Sequence, residues 1–428
     1  MSEQTIYKEI KQLSASEVLE IRQSGLKQVS KNRSFFKEMS YEEAIAQFVS
    51  VWSSRIAAIL QSGRVIRLDL TGGLDSRVVL ALLIYAVKIY GLESAFTDGS
   101  ILFHSIKRKE EDYNCATQIA QKFGLKLNAG MKIQRIGIPA EQSVENWLDY
   151  NLGRYAPHIL SLGNNQGRVV NFPGAGGEDH RDFYLKFGST NFVSFLFGYQ
   201  EHFSTTENFK AWMGDVISNT EKSAALPENR GIEMSIRHYR ANRSRHHAAK
   251  MPRTEVMGVT LGSKYFYQLV LSADPSRVGN GQVLYDIMHV CCPDLVTMPY
   301  DTPKKMPTSD MLENLPNSID IPALEPGQAT PIQSELTLTA SEQSLSGLKW
   351  AKSLLSKGKT HPNEVLFDRT RSILKELDFV SSKEKKMAEK LTANLDKWQS
   401  EKVTRNLHGS GAAIHWAHIL KLSRTGSI

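Results

Sequence analysis

In the stretch TGGLDS (Thr71–Ser76), two adjacent glycines are flanked by two hydroxyls and a carboxylate. Glycines permit positive φ and leave the backbone N–H groups open to an incoming ligand. A helix N-terminus adds partial positive charge and unsatisfied donors, which suits a phosphate or pyrophosphate. On the glycines alone, a tight turn with Asp75 as a cap and no ligand is an equal alternative. A second stretch, PGAGGED (Pro173–Asp179), offers Gly174 and Gly176 and then the carboxylates Glu178 and Asp179. Two carboxylates from separate loops, completed by substrate phosphate oxygens, suffice to hold Mg²⁺. The alternative is that Glu178 and Asp179 cap the helix that follows. Lys304 and Lys305, after Pro303, bring positive charge or form a solvated pair behind a proline turn.

These residues need elements to position them. Val65–Leu70 is short, apolar and bounded by Gly63, which predicts a strand. Asp75–Tyr90 has apolar residues at 78, 79, 82, 83, 86 and 87, the spacing of a buried helix face, and Gly91 ends it. The first glycine loop therefore joins a strand to a helix. Open α/β sheets place ligands where such loops leave the strands, and this favours a metal role for Glu178 over a cap.

TGGLDS lacks the lysine of the Walker loop and the third glycine of the dinucleotide fingerprint. It resembles the pyrophosphate loop of the ATP-pyrophosphatase superfamily, written S-G-G-x-D-S, with Thr71 keeping the first hydroxyl. Leu74 points to one branch, the synthetase domain of asparagine synthetase and its relatives, including β-lactam synthetase and lasso-peptide cyclases. SAFTDG (Ser94–Gly99) looks like the second parallel strand of that domain. Glu110–Asn128 is similar to its Asp-x-x-x-Ala helix, here Asp112 and Ala116, followed by Gly124 and a short strand. Gly167–Tyr184 is similar to a further strand and its loop, written G-x-G-x-D-E-x-F-x-G-Y. Gly174, Gly176 and Tyr184 match, and Glu178 stands where the second magnesium-binding Asp is expected.

The resemblance covers roughly 40–305 and implies an α/β fold. A parallel sheet flanked by helices, adenine nucleotide alpha-hydrolase-like, would carry a helical C-terminal extension. It implies an ATP- and Mg²⁺-dependent, AMP-forming amide ligase. Thr71, Gly72, Gly73 and Ser76 would hold pyrophosphate, with Asp75 and Glu178 on Mg²⁺ and Leu70, Thr97 and Gly174 near the nucleotide. RTEVMGVTLGS (Arg253–Ser263) keeps Glu255 and Leu261 of the family's G-x-E-x-R-x-P-F-L-D segment, so Glu255 is a catalytic candidate. CCPDLVTMPYDTPKK (Cys291–Lys305) can be laid on the segment that ends in the catalytic lysine, with Lys304 and Lys305 indistinguishable. That lysine would neutralise charge on the pentavalent phosphorus. Ala175 stands where asparagine synthetase has a Glu, so that acid–base role is not carried over. TIYKEIKQLSASEVLEI (Thr5–Ile21) looks like the last strands of the glutaminase domain that normally precedes the synthetase domain. Ser2 replaces the cysteine that such a glutaminase needs, so glutamine is not expected to serve as nitrogen donor. The chain has either shed that domain or been cut from a longer one.

The length of 428 residues gives ample chain for a buried core. No apolar run approaches the ~20 residues of a membrane span, and the N-terminus has no signal-peptide core, so a cytoplasmic enzyme is expected. Cys115, Cys291 and Cys292 are the cysteines, without a C-x-x-C, so neither a zinc ribbon nor a disulfide scaffold is indicated. The net charge of +7 is weak evidence for an anionic partner. The basic cluster Arg237–Lys250 is read as part of the helix before Glu255, with a role toward an anionic substrate, and nucleic acid is not favoured.

The expected organisation is a glutaminase remnant and linker over 1–39, the ligase domain over 40–310, a linker or wrapping loop over 311–345, and a helical subdomain over 346–428. Helical spacing recurs at 347–355 and 363–379, then around KEKKMAEKLTANLDKW and over 412–423. The substrates would be a carboxylate and an amine, small molecule, peptide or uronic-acid glycan. An RNA-modifying enzyme of the same superfamily and a non-catalytic binding or scaffold relative are the alternatives.

Overall fold

A computed structural model describes residues 17–23, 25–30, 36–129, 135–137, 141, 161–163, 169–183, 192–200, 205–226, 229, 231–244, 256–327 and 362–400, with 414, 417, 418, 420, 421 and 424. Strands β1 (Glu17–Arg22) and β2 (Gly25–Ser30) form an antiparallel hairpin. The rest of the expected glutaminase-like segment, before Glu17, lies outside the described residues.

The main body is mixed α/β. Helix α1 (Tyr41–Gln61) starts at Ser40, whose hydroxyl accepts from the Glu43 N–H while the Glu43 carboxylate accepts from the Ser40 N–H. This capping box satisfies two orphan donors at once. Strand β3 (Val65–Asp69) leads through the glycine loop into α2 (Leu74–Ile89). All six apolar positions picked out by the helical spacing are buried, and so are Leu80 and Ala81. Helix α2 is covered nearly all round rather than on one face, as its near-continuous apolar composition requires.

The second parallel strand is β4 (Ile101–His104), paired in parallel with β3, and not Ser94–Gly99. Glu93–Phe96 instead form a 3₁₀ turn, and Asp98 accepts from the Ser100 N–H at 2.8 Å. Such short polar side chains offer the backbone a turn that competes with a ladder. The apolar ILFH run, buried at its first three positions, becomes the strand, at one edge of the four-stranded sheet. Helix α3 (Glu110–Lys122) buries Cys115, Ala116, Ile119 and Ala120, and Leu127 bridges to Phe103. Strands β5 (Arg135–Gly137) and β6 (Ser161–Gly163) pair with each other. Strand β7 (Val169–Phe172) lies parallel to β3 on the side away from β4, and β8 (Val256–Met257) adds a short parallel edge. The sheet order is thus β4-β3-β7-β8.

Helices flank this sheet. Ring contacts between Trp52 and Phe172 (6.2 Å) and between Phe48 and Phe266 (5.2 Å) join α1 to the sheet and to the helix Lys264–Ser272. The described part of the expected linker is 311–327; it begins in the short helix Ser309–Glu313, and its residues 316–327 lie along α1 and α2. Ser54 donates to the Glu325 carbonyl (2.7 Å), Ser50 donates to that of Pro322, and Tyr90 donates to that of Leu324 (2.5 Å). Helices Pro362–Glu376 and Ser382–Ser400 share a separate apolar cluster with Ile414 and Ala417. Most of the expected helices at 347–355 and 412–423 lies outside the described residues. No described helix is long and apolar enough to cross a membrane.

Candidate functional site

Strands β3 and β7 run side by side and in the same direction, so their following loops emerge at one end of the sheet. The two loops touch. A Cβ on Gly174 would lie 2.7 Å from the Ser76 nitrogen, and one on Gly177 would overlap the Asp75 carboxylate. Any side chain at these two positions would wedge the loops apart. Leu70 is fully buried behind them, its N–H donating to the His104 carbonyl at 2.8 Å.

The first loop is not bare. The Thr71 N–H donates to Ser76 Oγ (3.1 Å), and the Gly73 N–H donates to Thr71 Oγ1 (3.1 Å). The Gly72 N–H donates to Asp112 Oδ1 at 3.0 Å, so a carboxylate from α3 already occupies an anion-binding donor. An incoming phosphate oxygen would have to replace it there.

At this end of the sheet Glu178 lies near enough to Asp75 to feel its charge. Glu178 is partly buried, and burial, then the Asp75 charge, push its carboxyl up to about 7. Between them stands a residue that no motif flagged. Arg181 donates to both Asp75 oxygens, Nη1 to Oδ1 at 2.6 Å and Nη2 to Oδ2 at 2.8 Å. These side chains are 18% and 14% exposed, so the pair is largely shielded from water. The sequence did carry a signal: Arg181 occupies the Phe position of the D-E-x-F-x-G-Y pattern laid on this loop.

The raised Glu178 pKa fixes a sign. Its folded value of about 7 exceeds the ordinary 4.5, so the folded protein holds a proton that the unfolded chain releases between those limits. The associated stability is present below about pH 4.5 and is lost as pH rises through about 7. Glu178→Gln is therefore expected to stabilise the metal-free protein at pH 8 by about 1–3 kcal/mol and to change little at pH 5. Urea titrations at the two pH values check this, and equal midpoint shifts at both would refute the assigned cause.

Asp179, the carboxylate next to Glu178, is buried and accepts from Ser244 Oγ (2.8 Å) and Tyr267 OH (3.0 Å). His180 is held between the Leu261 carbonyl at Nε2 (3.0 Å) and the Arg240 guanidinium at Nδ1 (3.1 Å). A donating Nε2 and an accepting Nδ1 define its neutral tautomer. Arg240, from the basic cluster, also donates to the Asp179 carbonyl and to Asn229 Oδ1 (2.8 Å). This arginine faces inward and braces the second loop; residues 245–250 of the basic cluster, for which a role toward an anionic substrate is expected, lie outside the described residues.

A third segment completes the site. Lys305 Nζ lies 3.9 Å from where a Gly73 Cβ would stand and pairs with Asp301 Oδ2 at 2.7 Å. Asp301 packs against Gly72, its N–H donating to the Gly72 carbonyl at 3.2 Å. Asp301 Oδ1 is buried with no hydrogen-bond partner among the described residues. Lys304 is exposed. What holds this segment is Arg77, fully buried, whose guanidinium donates to the carbonyls of Leu295 (3.2 Å), Met298 (2.8 Å) and Pro299 (2.6 Å). It also lies 3.7 Å over the Tyr300 ring.

The site thus gathers Thr71, Gly72, Gly73, Asp75, Ser76, Gly174, Glu178 and Lys305. Thr97 is not part of it. It is exposed and precedes the N-terminal end of β4, so it lies at the opposite end of the sheet from the loops. The error follows from the misplaced strand; His104, at the end of β4, occupies the corresponding place, 3.2 Å from Asp69. Glu255 and Tyr184 lie outside the described residues. Among the described residues no group of three or more His, Cys, Asp or Glu side chains is arranged to hold a metal ion. A Mg²⁺ held by two carboxylates and phosphate oxygens needs no such group. Glu178 is the carboxylate that a cation would neutralise, since Arg181 already balances Asp75. Compared with known protein families and with curated proteins, this chain matches none.

Proposed function

We infer that this chain is an ATP- and Mg²⁺-dependent amide ligase with an adenine nucleotide alpha-hydrolase-like fold, resembling the synthetase domain of asparagine synthetase. A carboxylate substrate attacks the α-phosphorus to give an acyl-adenylate and pyrophosphate, and an amine then displaces AMP. Activation is needed because a carboxylate is a poor electrophile, whereas an acyl-AMP carries a good leaving group. The observation that carries this reading is the convergence of Asp75, Glu178 and Lys305, from three separate segments, on the Gly72–Gly73 loop. Thr71, Gly72, Gly73 and Ser76 bind the pyrophosphate end. Asp75 and Glu178 would hold Mg²⁺, which would supply charge neutralisation for the phosphates. Lys305, oriented by Asp301, places its ammonium beside the loop, where negative charge grows as the phosphorus is attacked.

Arg240, buried and facing inward, offers no charge to an RNA phosphate. The bidentate Arg181–Asp75 pair and Ala175 favour, as the second reading, a binding relative that does no chemistry. Mass spectrometry of nucleotides after incubation with ATP, Mg²⁺ and panels of amino acids, peptides and uronic-acid sugars, each with ammonium or an amine, separates them. AMP and pyrophosphate are the expected products. ADP would overturn the loop assignment, and absence of turnover by a folded protein would favour the binding relative.

A further inference from the structure

The geometry points to Arg181 as a phosphate-binding residue of this site, one that holds Asp75 while no nucleotide is bound and transfers its guanidinium to the polyphosphate when a divalent cation takes Asp75. This rests on the ligase reading above and adds a residue that the resemblance does not supply, since the corresponding pattern position is Phe.

The argument starts from the pair itself. Both Asp75 oxygens accept from Arg181, so a cation that coordinates Asp75 must compete with the guanidinium for the same lone pairs. A guanidinium beside a divalent cation on one carboxylate is repelled, and in this shielded pocket the repulsion is little screened. Displacement does not take Arg181 far. It sits on the turn that ends at His180, whose buried ring, Asp179 and Arg240 fix the loop backbone. The freed side chain stays at the mouth of the glycine loop, where a planar fork matches two phosphate oxygens. Arg181 thus keeps Asp75 from standing as an uncompensated, partly buried charge before the nucleotide arrives.

The test uses inorganic pyrophosphate by calorimetry, with Mg²⁺ or in EDTA, and Mn²⁺ binding read by the resonance of the free ion. Wild-type protein is expected to bind pyrophosphate with Mg²⁺ more tightly than in EDTA. Arg181→Met is expected to tighten Mn²⁺ binding without nucleotide by about tenfold, because the competing cation is gone. The same variant is expected to weaken pyrophosphate binding in EDTA by about tenfold or more. Asp75→Asn should do the reverse in EDTA: it frees the guanidinium and tightens pyrophosphate binding, and the gain should vanish in Asp75→Asn/Arg181→Met. If Arg181→Met fails to melt cooperatively, Arg181→Lys, which keeps charge without the fork, replaces it and should fall between. Pyrophosphate and Mn²⁺ affinities within about twofold of wild type in both Arg181 variants would overturn the proposal and leave the ligase reading intact. A wild-type protein that binds no pyrophosphate even with Mg²⁺ would instead remove the ligase reading, and this inference with it.

Discussion

Lys305→Met is expected to lower AMP release by about 10²–10³-fold, with most of the loss in kcat. The ammonium lies beside Gly73, where a pyrophosphate would be cradled, and Asp301 holds it at 2.7 Å. Charge on the α-phosphoryl group grows as the carboxylate attacks, so a fixed cation there binds the transition state better than bound ATP. Stability should barely change: the Lys305 side chain is 37% exposed, and pairs of that kind contribute about 1 kcal/mol or less. Lys304→Met is the internal control, because Lys304 is exposed and should stay within about twofold of wild type. Steady-state assays of AMP formation on both variants decide the matter. Equal losses in the two, or a larger loss in Lys304→Met, would break the assignment of Lys305.

The contrast between these adjacent lysines shows what a sequence makes legible and what it hides. Local signals served well where one element decides the outcome. The apolar spacing of α2 and the glycines after β3 each produced the element they predict, within one residue of its observed ends. The same logic failed at Ser94–Gly99, where Asp98 and Ser100 bond locally and push the strand on to Ile101. Register across loops was legible only as far as glycines had to be small. Gly174, a glycine of the pattern, lies against Asp75 and Ser76, whereas Gly176 lies against Leu261 and Gly262, and Gly177, which packs on Asp75, stands at an open position of the pattern. Charges that arrive from afar left little trace. Arg181 reaches Asp75 across 106 positions and Asp112 reaches Gly72 across 40. No periodicity encodes such pairings; the Asp-x-x-x-Ala pattern singled out Asp112 without its partner, and the break in the loop pattern hinted at Arg181. The choice between Lys304 and Lys305 was hidden for the same reason, since it depends on how residues 295–300 are pinned by Arg77.

That pin carries the largest expected effect on stability. Arg77→Met should destabilise the protein by about 3 kcal/mol or more, although Met fills much of the space and Arg77 touches no substrate. Wild-type Arg77 is fully buried; its guanidinium serves the carbonyls of Leu295, Met298 and Pro299 and stacks on Tyr300. Removing it leaves three carbonyl acceptors unserved, one buried and two partly buried, and an unserved buried acceptor costs about 1–3 kcal/mol. Part of this is offset, because burial disfavours the charged arginine and lowers its pKa, and the variant no longer bears that cost. Arg77→Lys keeps a charge but lacks the fork, so it should recover only part of the loss. The effect should also reach the chemistry. Tyr300 adjoins Asp301, whose N–H is bound to Gly72 and whose carboxylate orients Lys305, so a loosened 295–300 segment should lower kcat in the molecules that remain folded. Urea midpoints, with kcat measured on the folded fraction, read the two effects separately. A Met variant within about 0.5 kcal/mol of wild type would mean that the three carbonyls find other partners, and that Arg77 does not set the position of Lys305.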